Sequence, residues 1–330
     1  MYESFYGFAE RPFDLTPNPR YLVPTPAHRE ALSNLEYAIS SRKGMALLVG
    51  PAGTGKTTVI RAALDRQTAG VQCVQLCNPS LTRSEFVEML AAQFDLSQRA
   101  RQSKAAFLVE FEALLRARQA ARIVTVLIVD EAQTLSFELL EELRLLANIE
   151  TNDEKLLTLV LAGQPALASR LEDPALSQLK QRLALRCDLR PLTLHETLAY
   201  AAGRIRAAGG DASRVLTREA VTMLHERSRG IPRTINVLAD NAFIAGFARG
   251  QCPVTQQLVE EVAAELHLGA AAPEPPRREV AAGDLLVLRT KPASGDAVSE
   301  QMAAAAAGDA PLEGPAPRRR FSFFRRWGVA

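Results

Sequence analysis

The sequence predicts an α/β domain built on a parallel central sheet, followed by a small all-helical domain and a disordered C-terminal tail. Three observations carry this. Apolar runs at Met45–Val49, Val71–Leu76, Ile123–Val129 and Leu156–Ala162 alternate with segments of helical period, as expected for fully buried parallel strands joined by helical crossovers. From Thr193 the strand signal stops and only helical periods remain. Beyond about residue 270 the chain turns to AAAPEPP and GDAVSEQMAAAAAGDAPLEGPAP, too poor in large apolar side chains to offset the entropy of ordering. The expected boundaries are 1–192 for the α/β domain with an N-terminal strap, 193–268 for the helical domain and 269–330 for the tail.

Each element has its own signal. Residues 1–28 (FYGF, RPF, TPNPRY, VPTP) are dense in rings and proline, so an irregular strap packed on the domain is expected. A helix over 29–43 ends at Lys43-Gly44. Helices over 56–67, 83–95, 103–121 and 136–149 separate the strands, and a shorter strand falls near 185–190. Within 99–122, Phe107, Leu108, Phe111, Leu114 and Leu115 make one apolar stripe, which leaves the arginines as its solvated face. Helices over 193–208, 217–228, 232–248 and 255–267 follow, broken by Gly209-Gly210, Gly230 and Pro253. Thr193, Thr217 and Thr255 stand where N-caps belong. The island GDLLVLRTK (283–291) lies within the tail, and no internal repeat is visible.

The totals narrow the function classes. With 47% hydrophobic and 23% charged residues, the 330-residue chain reads as a soluble globular protein. Its net charge of +2 hides an asymmetry: APRRRFSFFRRWGVA carries five Arg and no acid, leaving residues 1–315 at about −3. A nucleic-acid affinity spread over the whole surface is therefore not expected. MYESFYGFAERPF has an acid at position 3 and no apolar core, unlike a secretory signal, and no run approaches the roughly 18 apolar residues of a membrane span. The four cysteines form no CxxC pair. Cys73 and Cys77 fall on one face of one strand, directed into a core, and the cytoplasm is the expected compartment. On a helix, Phe321, Phe323, Phe324 and Trp327 fall on one side of the tail's end and Arg318, Arg319, Arg325 and Arg326 on the other, with Arg320 out of place. Such a segment, Arg318–Trp327, suits peripheral contact with a membrane, docking on a partner protein or, least, nucleic acid.

The chemistry lies in LLVGPAGTGKTTVI (47–60). A buried strand runs into a small-residue loop, then a helix, with Gly50, Gly55, Lys56 and Thr57 at the spacing G-x-x-x-x-G-K-[ST]. Glycines at 50, 53 and 55 let successive N–H groups face phosphates, and the helix N-terminus adds its positive end. Gly50, Pro51, Ala52, Gly53, Thr54, Gly55, Lys56, Thr57 and Thr58 are thus expected to cradle ATP, with Lys56 on the β- and γ-phosphates and Thr57 on Mg²⁺. IVTVLIVDEAQTL (123–135) supplies a second buried strand ending in two acids. Asp130 holds the Mg²⁺ water shell in this scheme, and Glu131 orients or deprotonates the attacking water. Gln164, ending LLTLVLAG, either bonds the γ-phosphate or attacking water or simply opens a loop. Asn78 either restrains Glu131 in an unproductive pose or does the same. Arg182 and Arg186 compete as the cation offered to a neighbouring subunit's nucleotide, and the Gly230-Ile231-Pro232 break aims Arg233 at the γ-phosphate.

Taken together, GPAGTGKT, VLIVDEAQ, a strand-end Gln, QR and GIPR in this order resemble an AAA+ ATPase, a class of P-loop NTPase. More narrowly, MYESFYGF, RPFDLTPNPRYL, HREAL, DEAQTL, LAGQPAL, QRL and GIPRTINVLADNA are similar to the ExeA-like group, the general secretion pathway protein A ATPases, over about residues 1–267. The resemblance implies Mg²⁺-dependent ATP hydrolysis at the subunit interfaces of a ring or related homo-oligomer. It makes Gln164 the sensor 1 residue and Arg233, on the helical lid, sensor 2. It also implies service to cell-envelope secretion, pilus or polysaccharide machinery, from the cytoplasm and peripheral to the inner membrane. More distant relatives, DNA-associated regulators of transposition, supply the alternative. Better-known secretion members continue through a membrane-spanning helix into a peptidoglycan-binding domain; this sequence carries neither, so direct grip on the cell wall is not expected.

Overall fold

The computed structural model describes residues 1–15, 25–67, 70–76 and 81–268; Asn78, Cys77, the island at 283–291 and the basic-aromatic segment Arg318–Trp327 lie outside them. Five strands, β1 (Met45–Val49), β2 (Val71–Leu76), β3 (Val124–Val129), β4 (Leu157–Gly163) and β5 (Leu183–Asp188), form one sheet in the order β2-β3-β4-β1-β5. Every neighbouring pair is parallel. Val49 stands opposite Gly163 and Val129 opposite Leu161, so the loops after β1, β3 and β4 leave from one edge. In an open parallel sheet that edge is where ligands bind.

The helices follow from the strand pattern. The chain opens with α1 (Tyr2–Tyr6) and continues through α2 (Pro26–Ser40), α3 (Lys56–Asp65), α4 (Arg83–Gln93), α5 (Gln98–Gln102), α6 (Lys104–Ala120), α7 (Phe137–Leu146), α8 (Pro165–Leu171) and α9 (Ser177–Lys180). Successive β1 side chains alternate faces. Met45, Leu47 and Val49 join the core under α4–α9, whereas Ala46 and Leu48 join the one under α2 and α3. The predicted stripe on α6 turns Phe107, Phe111 and Leu115 into the first of these cores. β1, β3 and β4 are buried almost throughout, as their unbroken apolar runs require. β2 is not. It is an edge strand, with no partner on its outer side among the described residues, and Cys73 is exposed on it rather than directed into a core.

Five more helices, α10 (Leu194–Ala207), α11 (Ala212–Val215), α12 (Arg218–Ser228), α13 (Pro232–Ala248) and α14 (Gln256–Glu265), close the described chain. Thr193 and Glu196 form a capping box on α10, and Thr217 caps α12. Thr255 stands at the N-cap of α14, but its hydroxyl accepts from Gln251 Nε2 (3.1 Å) and makes no capping bond to the helix backbone. The opening segment is also more regular than its proline content suggests. Tyr2–Tyr6 is helical, stopped by Gly7 in the left-handed conformation, and α2 starts at Pro26, capped by Thr25. The rings of this segment pack on the C-terminal helices. Tyr2, Tyr6, Phe8 and Phe13 surround Phe243 of α13 at centroid distances of 4.8–5.9 Å. Arg204 of α10 then donates to the carbonyls of Pro12 (2.5 Å) and Asp14 (3.1 Å), with its guanidinium over the Phe13 ring.

Candidate active site

β1 delivers its chain to the site with all five residues buried. Gly50 then donates to the carbonyl of Gly163 at the end of β4 (3.1 Å), fixing where the loop starts. Gly53 and Gly55 lie at φ 80° and 97°, a region L-residues rarely enter. At Gly53 there is also no room, since a Cβ would come within 2.7 Å of the Arg233 side chain. Thr54 is fully buried, and its hydroxyl donates to the Pro51 carbonyl at 2.9 Å. Lys56, the first residue of α3, is 5% exposed and donates to the carbonyls of Gly50 (2.8 Å) and Pro51 (3.2 Å). Burial pushes its ammonium pKa down, opposed by the charges of Glu131 and Asp130. A buried cation so placed, at a helix N-terminus among loop amides, is built to meet an anion.

The second wall comes from β3. Asp130 follows the strand, is 9% exposed, and accepts from the Thr57 hydroxyl and from the Glu131 amide, each at 2.9 Å. Two hard oxygen ligands within hydrogen-bond reach suit Mg²⁺, which takes one or two protein oxygens and keeps its waters. Glu131 sits at φ 51°, uncommon for a non-glycine residue and frequent at functional sites. Its carboxylate accepts from Gln133 Nε2 (2.5 Å) and Gln164 Nε2 (3.3 Å). The Gln133 bond, helped by Gln164 and the Lys56 charge, holds its pKa below the ordinary carboxylate range, against the effect of burial. Gln133 Oε1 in turn accepts from the Gln164 amide at 3.0 Å. Arg170 of α8 locks the turn from below, donating to the carbonyls of Gln133 (2.6 Å) and Leu135 (2.7 Å).

Lys56, Thr57, Asp130, Glu131 and Gln164 therefore converge at one edge of the sheet. Arg233 reaches that edge through its backbone: its amide donates to the Gly53 carbonyl at 3.1 Å, seating the start of α13 on the loop, while its side chain is exposed. Arg182 lies elsewhere. It precedes β5, at the opposite end of a strand spanning about 20 Å, exposed and beside a cavity of about 270 Å³ that Lys43 and Lys155 also line. Arg186 is committed to Asp188 through two bonds of 2.9 and 3.0 Å. Two residues of the site carried no role in the sequence, Gln133 and His28. Gln133 lay inside the DEAQ motif, but its partner Gln164 is far along the chain. His28, buried against Thr54, lay in HREAL with no chemical spacing to mark it.

The comparisons with known proteins agree with this geometry. Residues 39–171 match the AAA domain family. General secretion pathway protein A of Aeromonas hydrophila is 41% identical over 253 residues, which are 76% of this chain and 46% of that protein. The chain spans about half the length of that relative. Among solved structures, the Aeropyrum pernix ORC2 protein in ADPNP–ADP complexes superposes with a TM-score of 0.58 at 17% identity, over 78% of this chain and 71% of that one. CDC6P from Pyrobaculum aerophilum gives 0.58 at 18%, over 77% and 70%. At such identities these two speak to the fold alone.

Proposed function

We propose, from the premise that this chain is an AAA-domain protein related to general secretion pathway protein A, that it binds ATP with Mg²⁺ and hydrolyses it to ADP and phosphate. One observation carries the proposal: a buried loop lysine, a Thr57–Asp130 oxygen pair and a restrained Glu131 carboxylate meet at the edge where β1, β3 and β4 end. The amides of residues 50–58 and Lys56 bind the phosphates. Thr57 and Asp130 hold the Mg²⁺, which supplies charge neutralisation on the phosphate oxygens when bound. Glu131 takes the proton of the attacking water, and Gln164, already bonded to Glu131, orients that water. Arg233, at the seat of α13 on the loop, closes toward the γ-phosphate.

Arg182 acts on a neighbouring copy's nucleotide, its position at the far end of β5 keeping it from its own. The protein is thus a homo-oligomer. The name of its relative supports work on a bacterial secretion system. Among the described residues no helix is long and apolar enough to cross a membrane, and contact with the inner membrane falls to Arg318–Trp327. Steady-state ATP turnover of the full chain, alone, with anionic liposomes and with duplex DNA across a salt series, tests the role. Stimulation by liposomes that disappears when residues 318–327 are removed supports the envelope assignment. Stimulation by DNA alone, fading steeply with salt, replaces it with a DNA-associated regulator.

A further inference from the structure

His28 takes no part in the chemistry above, yet it is 4% exposed and set against the phosphate loop. Its Nε2 lies 2.9 Å from the Thr54 carbonyl oxygen and its Nδ1 2.7 Å from the Thr25 hydroxyl. A carbonyl only accepts, so Nε2 carries the proton, and the neutral ring leaves Nδ1 to accept from the hydroxyl. Burial presses the imidazole toward that neutral form. The Thr25 hydroxyl accepts in turn from the His28 amide at 3.3 Å. The N-cap of α2 therefore orients the ring that faces the loop.

The consequence lies on the far side of the Thr54–Gly55 peptide. A trans peptide unit is planar, so its C=O and N–H point to opposite sides. With the Thr54 carbonyl drawn outward onto His28, the Gly55 N–H is aimed the other way. The Gly53 carbonyl is likewise held from outside, accepting from the Arg233 amide at 3.1 Å, while the Pro51 carbonyl is held from within the loop by the Thr54 hydroxyl at 2.9 Å and the Lys56 ammonium at 3.2 Å. Fully buried, Thr54 offers its carbonyl little water to accept from if the imidazole is removed, and an unpaired buried carbonyl favours a flipped peptide. A Cβ at Gly55 would stand 3.4 Å from Nε2, so the ring is packed as well as bonded.

We propose that His28 is a positioning residue for the polyphosphate of a nucleotide: by holding the Thr54 carbonyl outward it directs the Gly55 amide into the mouth of the loop. This rests on the nucleotide-binding function proposed above. The test is calorimetric titration of the full chain with Mg-ATP, ADP and adenosine. His28→Ala is expected to weaken ATP and ADP roughly tenfold, the loss of one buried hydrogen bond, while leaving any adenosine binding unchanged. His28→Gln, which keeps an N–H at similar reach, is expected to restore most of that loss. ATP binding by His28→Ala within about twofold of the parent chain, or failure of His28→Gln to improve on it, would overturn the proposal. Should His28→Ala not fold, Thr25→Val leaves the imidazole in place but frees its far side. About threefold weaker ATP binding is then expected, and unchanged binding defeats the proposal. A parent chain that binds no ATP, indistinguishable from Lys56→Ala, would sink the nucleotide function itself.

Discussion

At the scale of single residues, the contact between Glu131 and Gln133 sets what the site does at rest. A carboxylate with two amide donors on one oxygen is a weaker base than a free one, and the depressed pKa of Glu131 follows from that. Glu131→Gln keeps the size and the capacity to accept from Gln133 but removes the proposed base. ATP binding should persist while turnover falls roughly 100-fold or more, read by single-turnover hydrolysis alongside nucleotide retention on a filter. Unchanged turnover would move the base elsewhere. Gly53 makes a second case. Gly53→Ala places a methyl at φ 80° and against Arg233, so the seat of α13 on the loop should open and ATP affinity drop, measured by the same titration. Residues of this kind were legible in the sequence where their chemistry is local. Lys56, Thr57, Asp130 and Glu131 announce themselves by spacing within a few positions of a strand end. Gln133 and His28 do not, because each is defined by a partner 31 or 26 residues away.

At the scale of elements, the alternation of apolar runs and helical periods located β1, β3, β4 and the long helices, since a strand buried on both faces has little freedom in composition. It located β2 as well, at Val71–Leu76, but misjudged its burial, since this strand has the same apolar look and yet lies at an edge. It also passed over α1, α5, α8 and α11, all of seven residues or fewer. Helices so short gain little from their own periodicity and owe their existence to caps and packing. α1 is the clearest example. Its aromatic residues look like an irregular strap by composition, yet four rings of the opening segment enclose Phe243. Phe243→Ala removes the centre of that cluster and should cost about 3–5 kcal/mol. Thermal unfolding checks the cost, and limited proteolysis should find residues 1–15 newly cleavable while the phosphate loop stays protected.

At the scale of the whole molecule, the parallel sheet separates the proposed nucleotide site from Arg182 by the length of a strand. The phosphate loop and acids sit at one edge, Arg182 at the other. If hydrolysis needs both, one chain cannot supply them to itself. Mixing two inactive variants then becomes informative: Arg182→Ala contributes an intact phosphate loop, Lys56→Ala an intact arginine. Turnover should be low for each alone and recover part-way in the mixture, rising with total protein concentration. An inactive mixture would place the arginine's work within its own chain. The aromatic closure between the two ends of the described chain has a different kind of consequence, one of timing. Residues 2–13 leave the ribosome well before the helices that cover their rings, which span residues 194–265. The sheet and its loop are complete in sequence well before that. Four aromatic side chains thus wait, uncovered, through synthesis of most of the chain, and the non-local closure that buries them is a late and slow event in folding.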